Sequence, residues 1–476
     1  MSPPTVVWFR KDLRLADNEA LFAAASRDGP VIPLYIFDEG VGGRPPGAAS
    51  RWWLDKSLRS LAEDLNRLGA PLVLRRGGAA EVLKRLVAES GAKAVYWNRL
   101  YDQASIVRDT RIKADLNAGG VEALSFAGGM LNEPWTVKTG SGTPYRVFTP
   151  YWRAARVRID MCGPAPVVKK LRANPAPLAS DPIDAWALHP RAPDWSGGFA
   201  GWRPGETGAL DALKTFLGSR LNAYQDERNR PDRSGTSRLS PHLHFGEISP
   251  RQIVDVIRRD EERSGAPTAG SEAFLREIGW RDFNYQLLFH ASDMEHSPLN
   301  PIFGGFPWRQ DRRALAAWQS GRTGYPIVDA GMRELWTTGW MHNRVRMIVA
   351  SFLVKHLLLD WQLGERWFWD TLVDADLANN VAGWQWVAGS GADAAPYFRV
   401  FNPVLQGEKF DPDGVYVRRW VPELATAPSR FIHQPWRAPT AVLAACGIRL
   451  GVSYPEPIVD HAEARTRALA AYERIR

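Results

Sequence analysis

Cysteine is nearly absent: Cys162 and Cys446 are the only two in 476 residues. That excludes a disulfide framework and a four-cysteine zinc or iron–sulfur site. No uninterrupted apolar run approaches the roughly eighteen residues of a membrane span, so none is expected. The start, Met1-Ser2-Pro3-Pro4-Thr5, has no basic stretch leading into an apolar one, so no secretory signal is read there and the expectation is a cytoplasmic chain. Also missing is a Gly-x-Gly-x-x-Gly after the first β-rich run, where Trp8-Phe9-Arg10-Lys11-Asp12-Leu13-Arg14 stands instead. A standard dinucleotide site is thereby disfavoured.

What is present points elsewhere. With 45% hydrophobic residues the chain can bury a large core, and its length favours at least two domains. The formal net charge is +8, carried mostly by arginine. Such a balance suits a polyanion, because each neutralised phosphate releases counterions; genomic base composition explains it equally well. Tryptophan is abundant, 21 residues, ten of them from Trp280 to Trp386. Core packing accounts for most of them, while the clustering suggests a redox or base-stacking role.

Up to residue 130, β-rich runs (5–10, 31–37, 71–75, 93–97, 121–126) alternate with amphipathic stretches such as 51–68 and 79–90. The pattern predicts βαβ units, hence an α/β domain built on a doubly wound, five-stranded parallel sheet whose ligand would sit at the carboxyl ends of the strands. Arg10-Lys11-Asp12 reads as a surface ion cluster. Residues 131–208 are read as a connector, its second half rich in proline and alanine and without periodicity. From 209 to 476, apolar-periodic stretches such as 209–228, 249–263 and 343–360 predict an all-α domain.

Five strings in the second half carry chemistry. Thr236-Ser237-Arg238-Leu239-Ser240 supplies hydroxyls and backbone N–H groups ahead of a helix, which suits an anion; in isolation it is equally a cap and a turn. Glu277, Trp280 and Arg281 share one helical face, either a solvated ion pair on an indole or a carboxylate and a stacking plate for a base. Asn343, Arg346, Met347 and Ala350 share another, where polar residues break an apolar helix as they would around a lined cavity. Asp374 and Asp376 bracket Ala375, with Asn380 a turn further on. No histidine or third carboxylate joins them, and no metal is expected. Gly383-Trp384-Gln385-Trp386 closes the series.

In this order, and with the opening 7–14, these strings resemble the photolyase/cryptochrome family of flavoproteins, and the resemblance covers nearly the whole chain. It implies FAD as cofactor, light as energy source and damaged DNA as partner. It implies that Tyr224 and residues Thr236, Ser237, Arg238, Leu239 and Ser240 hold the FAD pyrophosphate and that Arg281 steadies the flavin. Arg346 would pair with Asp374, Asp376 would contact the flavin ring, and Asn380 would face its N5. Glu277 and Trp280 would touch a pyrimidine dimer and Trp386 would stack on it. Arg344 and Arg399 would lie near DNA phosphates, while Trp384, Trp361 and Trp308 match an electron relay. The (6-4) photolyases and animal cryptochromes carry histidine at the positions of Asn343 and Met347, and plant cryptochromes usually carry valine at the latter. Asn343 with Met347 and Glu277 therefore implies catalysis on cyclobutane dimers.

One departure concerns the antenna pigment often held by the first domain. Ala104-Ser105 stands where some folate-binding relatives carry Asn-Glu. Methenyltetrahydrofolate is still favoured over 8-hydroxy-5-deazaflavin, because the wording is similar to that of class III bacterial photolyases. The expectation is a monomeric, light-driven deoxyribodipyrimidine photolyase of the bacterial type, associated with the nucleoid through DNA binding. The rivals are a cryptochrome-type photoreceptor on the same scaffold and a flavin oxidoreductase with a nicotinamide donor.

Overall fold

A computed structural model describes residues 2–38, 43–159, 163–394 and 398–476; Cys162 lies outside them. Valine, isoleucine and aromatic residues concentrate in short runs, and five of these form strands: β1 Thr5–Phe9, β2 Val31–Phe37, β3 Val73–Arg76, β4 Ala94–Asn98 and β5 Glu122–Phe126. All pair in parallel in the order β3-β2-β1-β4-β5, with Thr5 opposite both Val31 and Ala94. Helices α1 Glu19–Ala25, α2 Ala48–Leu68, α3 Ala79–Ser90 and α4 Gln103–Ala118 make the crossovers. Every residue of β1 and β4 is buried, as expected of a parallel sheet covered on both faces. The doubly wound α/β reading is correct.

The rest is helical: α5 Phe148–Ile159, α6 Glu206–Ser219, α7 Tyr224–Glu227, α8 Ser240–Phe245, α9 Pro250–Ser264, α10 Ala269–His290, α11 Arg312–Gln319, α12 Pro326–Thr338, α13 Asn343–Ser351, α14 Trp361–Thr371 and α15 Leu377–Ala388, with shorter helices and the helix His461–Glu473 beyond. No helix among the described residues is long and apolar enough to cross a membrane.

Two compact units result, and their borders differ from those expected at 130 and 208. One unit comprises residues 1–195, 200–222 and 237–292; the other comprises 196–199, 223–236 and 293–476. In the first unit the loop after β1 is the anchor. Arg14, 1% exposed, donates to the carbonyls of Asp17, Gly128 and Gly246. Asp17 takes Arg251 and the Ser249 hydroxyl, and Glu206 accepts from the N–H groups of Leu15 and Ala16. These long-range bonds bind α6, α8 and α9 to the sheet. The segment read as a connector also has structure. It contains α5, and its proline-rich part is held by Leu171 N–H on Leu68, Asp181 N–H on Leu74 and Trp186 stacked on Phe37.

Two further differences have plain causes. Arg10 and Asp12 are buried, not a surface cluster: Arg10 pairs with Asp109, and Asn98 donates to Asp12 at 2.7 Å. The apolar stretch 343–360 is not one helix, because α13 runs into a π-helical turn, Phe352–His356, and Leu358 then takes φ +53°.

Candidate cofactor and substrate site

In the first unit, Ser237, Arg238 and Leu239 lead into α8. Arg238 holds φ +56° and Leu239 follows in the right-handed region. A positive φ outside glycine costs about 1–2 kcal/mol, and a left-handed residue next to a right-handed one is the backbone pattern that aims successive N–H groups at an anion. Arg238 is exposed and lies 5.2 Å over Trp202. Thr236, the last residue of its stretch in the second unit, is half-buried. Tyr224 is buried in that unit at the start of α7, with the Arg228 guanidinium 5.7 Å over its ring.

The long helix α10 presents Glu277 and Trp280, both half-buried. One face of Trp280 is already covered: Phe148 of α5 stacks on it, centroids 3.8 Å apart and rings 11° from parallel. Gly279 permits this close packing, since a Cβ there would meet the Trp152 ring at 2.3 Å. Arg281 is engaged with the chain itself, donating to the Gly129 carbonyl at 2.6 Å. Beside it Asp282 is 2% exposed and accepts from the N–H groups of Leu131 and Asn132. Burial pushes its carboxyl up to about 7, against the pull of Arg281 and those two N–H groups. A cleft of about 50 Å³ opens beside Trp152, with Arg156, Arg258, Glu261, Glu272 and Arg276 among its lining.

In the second unit, α13 and α15 hold the remaining set. Asn343 opens α13 and is exposed; Met347, one turn on, is half-buried. Arg346 donates through Nη2 to Asp374 Oδ2 at 2.8 Å and through Nε to the Met341 carbonyl at 2.8 Å. Asp374 Oδ1 is buried and has no hydrogen-bond partner among the described residues. A buried acceptor left without a donor is costly, so this oxygen suits a ring N–H brought by a ligand. Asp376 caps α15 by accepting from Asn379 N–H at 3.0 Å. Asn380 Nδ2 donates to the Glu365 carboxylate at 2.7 Å and to the Glu365 carbonyl at 3.1 Å, which commits the amide nitrogen to Glu365. The residues present thus fit a flavin. No group of three histidine, cysteine, aspartate or glutamate side chains suited to a metal occurs among the described residues.

Trp384 is 2% exposed and packs against Phe368 and Trp318, centroids 5.0 and 6.1 Å away. Trp361 is buried at the start of α14 and Trp308 is half-buried. A bridge between Arg309 and Leu359 sets the chain of Trp308 beside the run leading into Trp361. Trp386 donates to the Asp393 carbonyl at 3.1 Å. Arg344 is held by Asn229 at 2.7 Å and lies 4.5 Å over Phe410. Burial, then the like charges of Arg228 and the exposed Arg399, lower its affinity for a proton. A guanidinium under the like charge of two others favours an anion. Sequence reasoning missed Arg228 and Glu365. Glu365 did leave a signal, a carboxylate on the apolar face Trp361, Gly364, Phe368. Arg228 left none beyond standing four residues after Tyr224.

Residues 5–171 match the family model described as DNA photolyase, and residues 274–474 match the FAD binding domain of DNA photolyase. The class is therefore that of flavin-binding proteins with a photolyase α/β domain. A deoxyribodipyrimidine photo-lyase of Agrobacterium fabrum is 50% identical, over 99% of this chain and 98% of that protein. Cryptochrome-1 of Arabidopsis thaliana is 42% identical, over 97% of this chain and 69% of its own length. The crystal structure of a bacterial class III photolyase from Agrobacterium tumefaciens superposes with a TM-score of 0.97 at 50% identity, covering 100% of this chain and 98% of that one. The chain belongs to the DNA photolyase family.

Proposed function

We propose that this protein is a light-driven deoxyribodipyrimidine photo-lyase acting on cyclobutane pyrimidine dimers. The observation that carries the reading is the α13–α15 arrangement: Arg346 paired to Asp374, the second Asp374 oxygen without a partner among the described residues, and Asn343 and Met347 on the helix of Arg346. When bound, FAD supplies the light absorption and the electron that opens the dimer. Arg346, Asp374 and Asp376 would hold its ring, and Asn380, its nitrogen committed to Glu365, would offer its oxygen to N5. Tyr224, Thr236 and residues 237–240 would take the pyrophosphate, with Arg281 steadying the cofactor through its helix.

Enzymes of this kind extrude the damaged nucleotides, and a distorted pair costs less to unstack. Glu277 would accept a hydrogen bond from a thymine edge, and Trp280, Trp386, Asn343 and Met347 would line the dimer. Arg344 and Arg399, with Arg228, would bind phosphates. Trp384, Trp361 and Trp308 would relay electrons to the flavin, a path supported by burial falling from Trp384 to Trp308. A folate antenna, methenyltetrahydrofolate over 8-hydroxy-5-deazaflavin, is supported by the class III likeness; mass analysis of chromophores released on denaturation tests it. On the same reading the protein works as a monomer in the cytoplasm, on the nucleoid.

Binding tests the substrate assignment in the dark. Affinity for an oligonucleotide with one thymine dimer should exceed that for its undamaged twin and fall with salt along a negative log–log slope. Equal affinity for the two would move the chain to the photoreceptor reading.

A further inference from the structure

Trp384 and Trp386 flank Gln385, a residue with no exposed surface. The Gln385 carboxamide is fully used. Its nitrogen donates to the carbonyls of Met294 at 2.8 Å and Ser297 at 3.0 Å, and its oxygen accepts from Leu299 N–H at 2.8 Å. Two carbonyls and one N–H leave a single possible orientation for the amide. The main-chain oxygen of the same residue accepts from Gly389, Ser390 and Gly391 at 3.0, 3.0 and 2.9 Å, and Asn300 N–H closes on the Ser390 carbonyl at 2.9 Å. One residue thus fastens the segment 294–300 and the turn 389–391 to α15.

Both neighbouring indoles sit on the helix that is fastened this way. The Trp386 ring is tied to the Asp393 carbonyl just beyond the turn. At Gly391, a Cβ would meet the Trp386 backbone nitrogen at 2.7 Å, so the turn has no room to shift toward the helix. The Trp384 ring is wedged so tightly that a Cβ on Gly364 would meet it at 2.1 Å. Rotation of α15 about its axis would displace both rings. For burial alone an apolar residue would serve better, because a carboxamide is costly to desolvate unless every partner is in place.

We propose that Gln385 is a positioning residue that sets the rotation of α15, and with it both the relay indole Trp384 and the dimer-stacking indole Trp386. The inference rests on the roles given to those two tryptophans above.

The test compares Gln385→Met and Gln385→Glu with wild type as FAD-loaded enzymes, with Trp384→Phe and Trp386→Ala as references. The readouts are the flavin photoreduction rate and the affinity for a dimer-bearing oligonucleotide. Gln385→Met should keep its FAD and lose about tenfold or more in both, because it leaves the carbonyls of Met294 and Ser297 and the Leu299 N–H without their partner. Gln385→Glu should match it at pH 8 and regain at pH 6, because a carboxyl cut off from water and facing two carbonyls holds its proton to higher pH and then donates again. Each value is taken relative to wild type at the same pH. Wild-type photoreduction and affinity in both variants, with only a lower melting temperature, would overturn the proposal and make the amide a packing element. If neither variant folds, hydrogen exchange on the wild-type protein decides. Slow exchange at Leu299, Gly389, Ser390 and Gly391, slowed further by the dimer oligonucleotide, supports the proposal; loop-like exchange there overturns it. If Trp384→Phe and Trp386→Ala are themselves silent, the fault lies with the roles of the indoles, not with the fastening.

Discussion

Asp282 should make the stability of this protein fall as pH rises through the weakly acidic range. Its carboxyl is buried beneath α10 against the N–H groups of Leu131 and Asn132, and burial lifts it from 3.8 to about 7. In the unfolded chain the same group ionises near 3.8. Between those values the folded state holds a proton that the unfolded state has released, so stability decreases with rising pH and levels off above about 7. A rise of about three pKa units corresponds to something on the order of 4 kcal/mol between the two ends of the window. Asp282→Asn removes the titration. An asparagine offers one carbonyl oxygen, as the protonated acid does, and so preserves the shorter bond to Asn132 N–H, 2.8 Å. Urea unfolding of both proteins at pH 4.5, 6 and 8 is the assay. The variant should gain steadily on wild type as pH rises, by a few kcal/mol in all. An unfolding free-energy difference between the two that is the same at every pH would refute the reasoning and mean that the two N–H groups outweigh burial. The site is implicated as well, since α10 carries Glu277, Trp280 and Arg281.

Three other outcomes follow from the same geometry. Glu277→Ala should keep its FAD but lose about 10- to 100-fold in affinity for the dimer, the value of one hydrogen bond to a charged group; undiminished binding would remove Glu277 from the pocket. Arg344→Ala should weaken damaged and undamaged DNA alike and make the log–log salt slope shallower by about 0.9. An unchanged slope would take the Arg228–Arg344–Arg399 cluster off the DNA. Met347→His should impair dimer repair with the flavin still bound, and wild-type repair would mean that the α13 face is not the substrate wall.

The parallel sheet was legible because its cause is local. Runs of β-branched and aromatic residues bounded by turn residues became β1, β2, β4 and β5 within a residue at each end. The third strand starts at Val73 rather than residue 71, where Pro71 has no N–H to give the ladder. Helix α5 was legible but overlooked. Phe148, Tyr151, Trp152, Ala155 and Ile159 recur at helical spacing, and Pro150 is tolerated because it sits in the first turn. Unit borders were not legible, since they are drawn by Arg14, Asp17 and Glu206 reaching partners up to 234 residues away. The same holds for Arg10 with Asp109 and for Asn380 with Glu365. Motif strings named the residue types of the site, but the bonds that orient them come from elsewhere in the chain.

The most direct measurement is blue-light repair of a single cyclobutane thymine dimer in an oligonucleotide, by the FAD-loaded protein under anaerobic, reducing conditions with a dark control. The two thymines should be restored in the light and not in the dark. Dimers left intact by a protein whose flavin is bound and photoreducible would contradict it and make the chain a photoreceptor.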